Sequence, residues 1–235
     1  MCRPLSLLVL FLTVCLRHTQ LPDSKRASDV RNIVWPGLKK ELSEKGFDGN
    51  YRMYLRIIKQ SDLLEVWFKK GPKYEIFKRY NICFFSGGLG TKTKAGDGKS
   101  PEGFYTVEPR QLNPVSNYHL SVNIGYPNKL ETANGYTGNA IMVHGRCMSI
   151  GCYAMTNPTI EEIYTLMYKA FEAGQQKIDL AIFPFRMSDE HLDEFSGSSY
   201  FAFWKTLKPG YDLFEKNRVP PIVTVVNKRY AFTKQ

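Results

Sequence analysis

Residues 142–155 read Met142-Val143-His144-Gly145-Arg146-Cys147-Met148-Ser149-Ile150-Gly151-Cys152-Tyr153-Ala154-Met155, and the rest of the chain can be placed around them. Ala140 to Val143 is a short apolar strand, so His144 stands at its end. Beyond Cys152, Thr156-Asn157-Pro158 offers a helix cap followed by a proline in the first turn. Ile160, Ile163, Tyr164, Met167, Ala170 and Phe171 then recur at helical spacing, Gly174 ends the run, and Glu161 and Glu162 complement the positive helix end. A cysteine in front of such a helix gains from nearby backbone N–H groups and the positive helix end, which favour thiolate over thiol. Gly151 permits a tight turn, and its N–H or that of Cys152 is placed to receive an oxyanion. His144 lies eight positions upstream, too far to be a helical neighbour, but a turn at the strand end brings its ring towards the sulfur. The chemistry expected is attack of a thiolate on a carbonyl, with histidine as proton shuttle. Two further readings stay open from the residues alone. Cys152 fits a buried structural thiol, and His-x2-Cys-x4-Cys fits a zinc array, although His119 and His191 stand at no ligand-like spacing to supply its fourth member.

Outward from this stretch the periodicity is mostly two. Asp29 to Lys45 is a helical lead-in with Val30, Ile33, Val34, Leu38 and Leu42 on one side, started or bent by Pro36. Tyr51 to Ile57 and Leu64 to Lys69 alternate, Gly71-Pro72 turns the chain, and Tyr74 to Phe85 forms another aromatic and β-branched strand. Ser86 to Pro101 is a long Gly-, Lys- and Thr-rich loop of the kind that holds binding sites. Gly103 to Val107, Leu120 to Ile124 and Ile178 to Phe183 are further strands, and Ser188 to Gln235 adds a short helix, a Trp204-bearing segment and a strand at Ile222 to Val226. The class expected is mostly β with flanking helices (α+β) in a single domain. Its parts are a signal-like segment at 1–20, a helical lead-in and first strand at 21–62, a catalytic region at 63–187, and a C-terminal extension at 188–235 packed on it.

The 235 residues carry a net charge of +10, with 43% hydrophobic and 23% charged residues, so the chain is globular rather than disordered. A basic surface suits polyanions, among them nucleic acid, anionic lipid and acidic cell-wall polymers. Neither a basic helix nor an aromatic-basic RNA motif is present, which argues against nucleic acid. Arg3 followed by the apolar run Leu5 to Leu16 resembles an export signal, too short for the roughly 20 residues that cross a bilayer. Export is therefore expected, with cleavage, N-terminal tethering and acylation at Cys15 left open. Cys83, Cys147 and Cys152 remain after that segment, and the odd count leaves at least one thiol unpaired within the chain.

The 142–155 stretch resembles the signature of the L,D-transpeptidase catalytic (YkuD-type) family, in its YafK-like branch, where a short His-Gly stretch runs into Ser-x-Gly-Cys-x-Ala-Met. Supporting pieces are Ser86-Gly87-Gly88-Leu89-Gly90, Gly96-Asp97-Gly98, Pro101-Glu102-Gly103-Phe104-Tyr105, Asn123-Ile124-Gly125-Tyr126-Pro127-Asn128 and Phe183-Pro184-Phe185-Arg186-Met187, in order across residues 63–187. The resemblance implies a YkuD-like fold with Cys152 as nucleophile and His144 as general base, supported by Gly151, Ser149 and Gly145. Tyr126, Arg146 and Arg186 are candidates for substrate binding, the arginines as partners of substrate carboxylates. The implied substrate is a peptidoglycan stem peptide attacked at its diamino-acid carbonyl to give a thioester, and no metal or organic cofactor is implied. Two residues depart from the wider family: Ile150 stands where it has a second histidine, and Ala154 where it has Arg or Asn. The branch includes enzymes that cut links between peptidoglycan and an attached outer-membrane lipoprotein, so hydrolysis is expected. A cross-linking transpeptidase and an inactive wall-binding module are the alternatives.

Overall fold

The computed structural model describes residues 20–47, 49 and 51–234, so the signal-like segment lies, but for Gln20, outside the described residues. In chain order the elements are α1 (Lys25–Glu44), β1 (Met53–Ile58), β2 (Leu63–Lys70), β3 (Lys73–Asn81), β4 (Gly103–Val107), β5 (Leu112–Asn113), β6 (Ser121–Asn123), α2 (Lys129–Ala133), β7 (Met142–His144), β8 (Tyr153–Ala154), α3 (Asn157–Glu172), β9 (Ile178–Phe183), α4 (Asp189–Glu194), α5 (Phe201–Asn217), β10 (Ile222–Val226) and β11 (Arg229–Thr233). The expected α+β class holds; β4, β9 and β10 have the expected bounds, β2 is two residues longer than expected, and β1, β3, β6 and β7 are one to three residues shorter.

A five-stranded sheet runs in the order β3-β2-β1-β9-β4. The expected hairpins give β1, β2 and β3, while β9 arrives late and inserts parallel to β1 and antiparallel to β4. Both faces of this sheet are covered. Met53, Leu55 and Ile57 face one core with α1 and α3, whereas Tyr54 and Ile58 face a second core with Trp204, Leu207 and Phe214 of α5. The alternation over Tyr51 to Ile57 therefore marks no solvent face, and Arg56, the polar member of the strand, is buried beneath α5. Leu38 and Leu42 of α1 are buried as expected, but Ile33 is 79% exposed, and Ala27 and Arg31 take its place on the inward stripe.

A second sheet, ordered β5-β6-β7-β8, lies over the first core. Val122, Val143 and Tyr153 are in cross-strand register and point into that core, so the alternate residues of β6, β7 and β8 point the other way. Helix α3 begins as the sequence indicates: the Thr156 hydroxyl accepts from the Thr159 N–H, and the predicted apolar stripe is buried.

The C-terminal extension reaches into the molecule. The Trp204 Nε1–H of α5 donates to Glu102 (2.7 Å), whose other oxygen meets the fully buried Lys59 ammonium (2.9 Å). Lys59 also donates to the carbonyls of Gly90 and Ser100, at 2.8 and 3.1 Å. A stretch of about sixteen residues without regular structure needs donors for its buried carbonyls, and Lys59 supplies them at both ends of the Ser86–Pro101 loop.

Candidate active site

Cys152 lies one residue before β8, opposite Met142 in the continued parallel register, and the Met142 N–H donates to its Sγ (3.4 Å). Two residues along β7 from Met142, His144 points to the same face of the sheet. The register thus brings the two sequence-predicted reactive residues to one face across a single strand gap. Ring and sulfur make no hydrogen bond in this structure. His144 is buried, its ring stacked against Tyr118 with centroids 4.6 Å apart, and its Nδ1 lies 2.6 Å from the Gly145 carbonyl. A carbonyl only accepts, so Nδ1 carries the hydrogen and Nε2 keeps its lone pair, which is the tautomer a general base requires. Burial lowers the His144 pKa, partly offset by that hydrogen bond, so the ring rests neutral.

The sulfur does not behave as its position before a helix suggested. Burial pushes the Cys152 thiol up, against smaller lowering effects from the Met142 N–H and the Lys92 charge. α3 begins five residues after Cys152, with β8 between them, and the N–H that reaches the sulfur is that of Met142 rather than one from the helix. Both shifts act in the same direction. They favour a neutral thiol and a neutral imidazole over a preformed thiolate–imidazolium pair.

The supporting residues divide by what their polar atoms already do. The Ser149 hydroxyl donates to the Cys152 carbonyl (2.8 Å), joined at 3.4 Å by Ser100. Gly151 is at φ +120°, where side chains are rarely accommodated, and neither its N–H nor that of Cys152 has an acceptor among the described residues. These two N–H groups are therefore free to donate to a further partner beside the sulfur. That of Gly145 is not, because it already donates to the Tyr118 and Leu120 carbonyls. A Cβ there would meet Asn157 Oδ1 at 2.7 Å, so its role is to let the strand end press against α3 while its carbonyl fixes His144.

The three substrate-binding candidates separate. Arg146 is exposed on the loop between His144 and Cys152, held at φ +68° by its N–H bond to Asn157. Tyr126 is buried, and its hydroxyl is directed at the Lys92 and Thr137 carbonyls rather than at open space. It supports Lys92 and has no free surface to offer a substrate. Arg186, half-exposed, donates to the buried Glu65 (2.8 Å) on the α5 side of the five-stranded sheet, the far face from the second sheet. It is not part of this site.

Sequence reasoning missed three features here. Cys147 is bonded to Cys83, which fastens the His144–Cys152 loop to the segment beyond β3 and leaves Cys152 as the free thiol among the described residues. That bond takes Cys147 out of any zinc array, and the described residues contain no cluster of three potential metal ligands. Lys92 is buried and bonded to Asp97 (2.8 Å), whose carboxylate three backbone N–H groups and Lys92 hold well below its usual range. The Gly-rich composition of its loop gave no sign of a structural cation. Around the site Met148 and Ile150 are 66% and 93% exposed, an apolar rim that local sequence does not reveal.

The family profile for the L,D-transpeptidase catalytic domain, YkuD, matches residues 52–175. Over 182 residues the chain is 47% identical to "Putative L,D-transpeptidase YafK" of Escherichia coli strain K12, spanning 77% of this chain and 74% of that protein. The same figures hold for the protein of that name from Escherichia coli O157:H7. Among solved structures, the helical cell shape determining protein Pgp2 from Campylobacter jejuni overlays with a TM-score of 0.46 at 19% identity, over 80% of each chain.

Proposed function

Because the chain belongs to the YkuD family of L,D-transpeptidase catalytic domains, and so is an enzyme of peptidoglycan, we propose that Cys152 attacks the diamino-acid carbonyl of a stem peptide with His144 as general base. The observation that carries this reading is the shared face of His144 and Cys152, with Nδ1 tied to the Gly145 carbonyl and Nε2 left to accept. As the sulfur bonds to the carbonyl carbon, the thiol proton passes to Nε2, and the N–H groups of Gly151 and Cys152 receive the developing oxyanion. The C–N bond then breaks, Nε2 returns the proton to the departing amine, and a thioester remains.

We assign the second half-reaction to water. In the wider signature two polar residues flank the nucleophile; here Ile150 points into solvent and Ala154 is buried against the neighbouring strand. Neither can fix an incoming amine, and only an oriented acceptor outcompetes solvent. Water attacks the thioester, the sulfur leaves, and a carboxylate is released with the enzyme thiol restored. The attached group cut away is a peptide or a protein, a peptidoglycan-bound outer-membrane lipoprotein being the protein case. Such a reaction is periplasmic. Residues 1–20 have the composition of an export signal, and the Cys83–Cys147 disulfide suits an oxidising compartment.

The test is incubation with purified sacculi bearing covalently attached lipoprotein, with and without an amine acceptor, followed by mass spectrometry of the products. Release of the protein with a free diamino-acid carboxylate is expected. New direct cross-links without release would reassign the enzyme as a transpeptidase.

A further inference from the structure

The face of the five-stranded sheet that packs on α5 carries a basic cleft that this reaction does not use. Arg56 of β1, Glu65 of β2 and Arg79 of β3 are side by side in register. The β-bulge opposite Val66 and Trp67 inserts one extra residue in β3, which brings Arg79 onto the same face as Ile76. Arg186 approaches the same carboxylate, so one fully buried glutamate serves three guanidinium groups.

Arg56 is consumed by this arrangement, because it also bonds Glu215 and packs over Trp67 and Phe214. The others are not. Arg79, Arg186 and Arg218 are 53%, 40% and 38% exposed and open into a cleft of about 520 Å³, at whose rim Lys73 has no ion-pair partner among the described residues. Five cations there meet three carboxylates, those of Glu65, Glu75 and Glu215. A network that served stability alone would balance its charges, whereas this one leaves two in excess within a concave site, where the field is focused. Guanidinium forks converging from three elements match the oxygens of a tetrahedral anion.

We propose that this cleft binds a phosphate group, as a monoester or diester, through Arg79, Arg186 and Arg218 with Lys73 at the rim. The cleft is larger than phosphate itself and leaves room for the group that carries it, whether a lipid headgroup or a soluble molecule.

The experiment is calorimetric titration of the full chain with inorganic phosphate at fixed ionic strength, paired with flotation on phosphatidylglycerol and phosphatidylcholine vesicles. Saturable phosphate binding is expected, weakened about tenfold or more in Lys73→Gln/Arg79→Gln, as loss of charged hydrogen-bond donors predicts, and unchanged in Cys152→Ala. Flotation with phosphatidylglycerol that the double variant loses identifies a lipid headgroup, and phosphate binding without flotation identifies a soluble ligand. Absence of saturable binding, equal affinity in the double variant, or equal binding of succinate overturns the proposal. Should the double variant lose its wild-type melting transition, Lys73→Gln alone, on an exposed residue, is expected to weaken phosphate about threefold, and no change there overturns the proposal equally.

Discussion

The two sides of the five-stranded sheet use ionisable residues in opposite ways. Beyond the α1/α3 core, His144 and Cys152 are half or wholly buried without a charged partner bonded to either, and burial alone shifts both towards neutrality. Beneath α5, Arg56, Glu65, Arg186 and Glu215 are buried or half-buried in direct ion pairs that hold Glu65 below the usual carboxylate range. A group that must gain or lose a proton in each turnover has to sit near the balance point between its two states, which an ion pair prevents. Charges locked in pairs are poor catalysts, but they hold helix to sheet and recognise other charges. The difference favours the side of His144 and Cys152 for the proposed chemistry and the α5 side for charge recognition.

The strongest way to break that assignment is at the sulfur. Cys152→Ala should lower release of wall-bound peptide by on the order of 10⁴-fold or more, as loss of a nucleophile does, with an unchanged melting transition. Measurable turnover by this variant on sacculi would remove Cys152 from the reaction.

His144→Gln comes next, with an expected loss in kcat/KM of about 10²–10⁴-fold and less than about 2 kcal/mol of stability. The neutral pair also predicts a pH signature. Because burial lowers the His144 pKa, the base is deprotonated above a midpoint below the ~6.5 of free imidazole, and kcat/KM should climb through that midpoint. Because burial raises the thiol, alkylation of Cys152 by iodoacetamide should accelerate only above the ~8.5 of a free cysteine. Rapid alkylation already present at pH 6 would restore the ion pair that the position before a helix suggested.

What the sequence revealed and what it hid follow from the range of the interactions. The strand end at His144, the turn at Gly151 and the Thr156 cap were legible because each is decided within a few residues. The supporting loops appeared in the order the family keeps. Arg186 was misplaced because its partner, Glu65, lies 121 positions away and is itself aligned with Arg56 only by strand register. The alternation over Tyr51 to Ile57 could not show that Arg56 is buried, because α5, which covers it, arrives from residues 201–217. Tyr126 looked available because nothing local shows that Lys92 and Thr137 enclose its hydroxyl. Spacing could say that one of three thiols was odd, and only the fold could pair Cys83 with Cys147.

That disulfide gives a prediction of intermediate size. It closes a loop with a sequence separation of 64, for which chain entropy suggests a contribution of about 4 kcal/mol. It also anchors the loop carrying Arg146 and Ser149, next to Cys152. Cys83→Ser/Cys147→Ser should therefore melt at lower temperature and lose about tenfold in kcat/KM through looser positioning of Cys152. An unchanged kcat/KM with a lowered melting temperature would make the bond purely structural.

The smallest effect expected on turnover is also the most discriminating, because it separates Arg186 from Arg146. Both are arginines near family motifs, and both were candidates for a substrate carboxylate. Arg146 is exposed on the loop between His144 and Cys152, whereas Arg186 is bonded to Glu65 on the other side of the sheet. Removing a bidentate partner of a carboxylate costs roughly 1.5–3 kcal/mol of binding, which is more than tenfold in KM. Arg146→Gln should show a rise of that order with kcat little changed. Arg186→Gln should leave both constants within about twofold. Its cost should appear instead as about 1 kcal/mol of stability, since Glu65 stays buried with Arg56 still bonded to it. Steady-state kinetics on a soluble stem-peptide substrate and thermal melts of the two variants make the comparison directly. A KM raised tenfold by Arg186→Gln, at unchanged melting temperature, would place substrate on the α5 side and undo the division between the two sides.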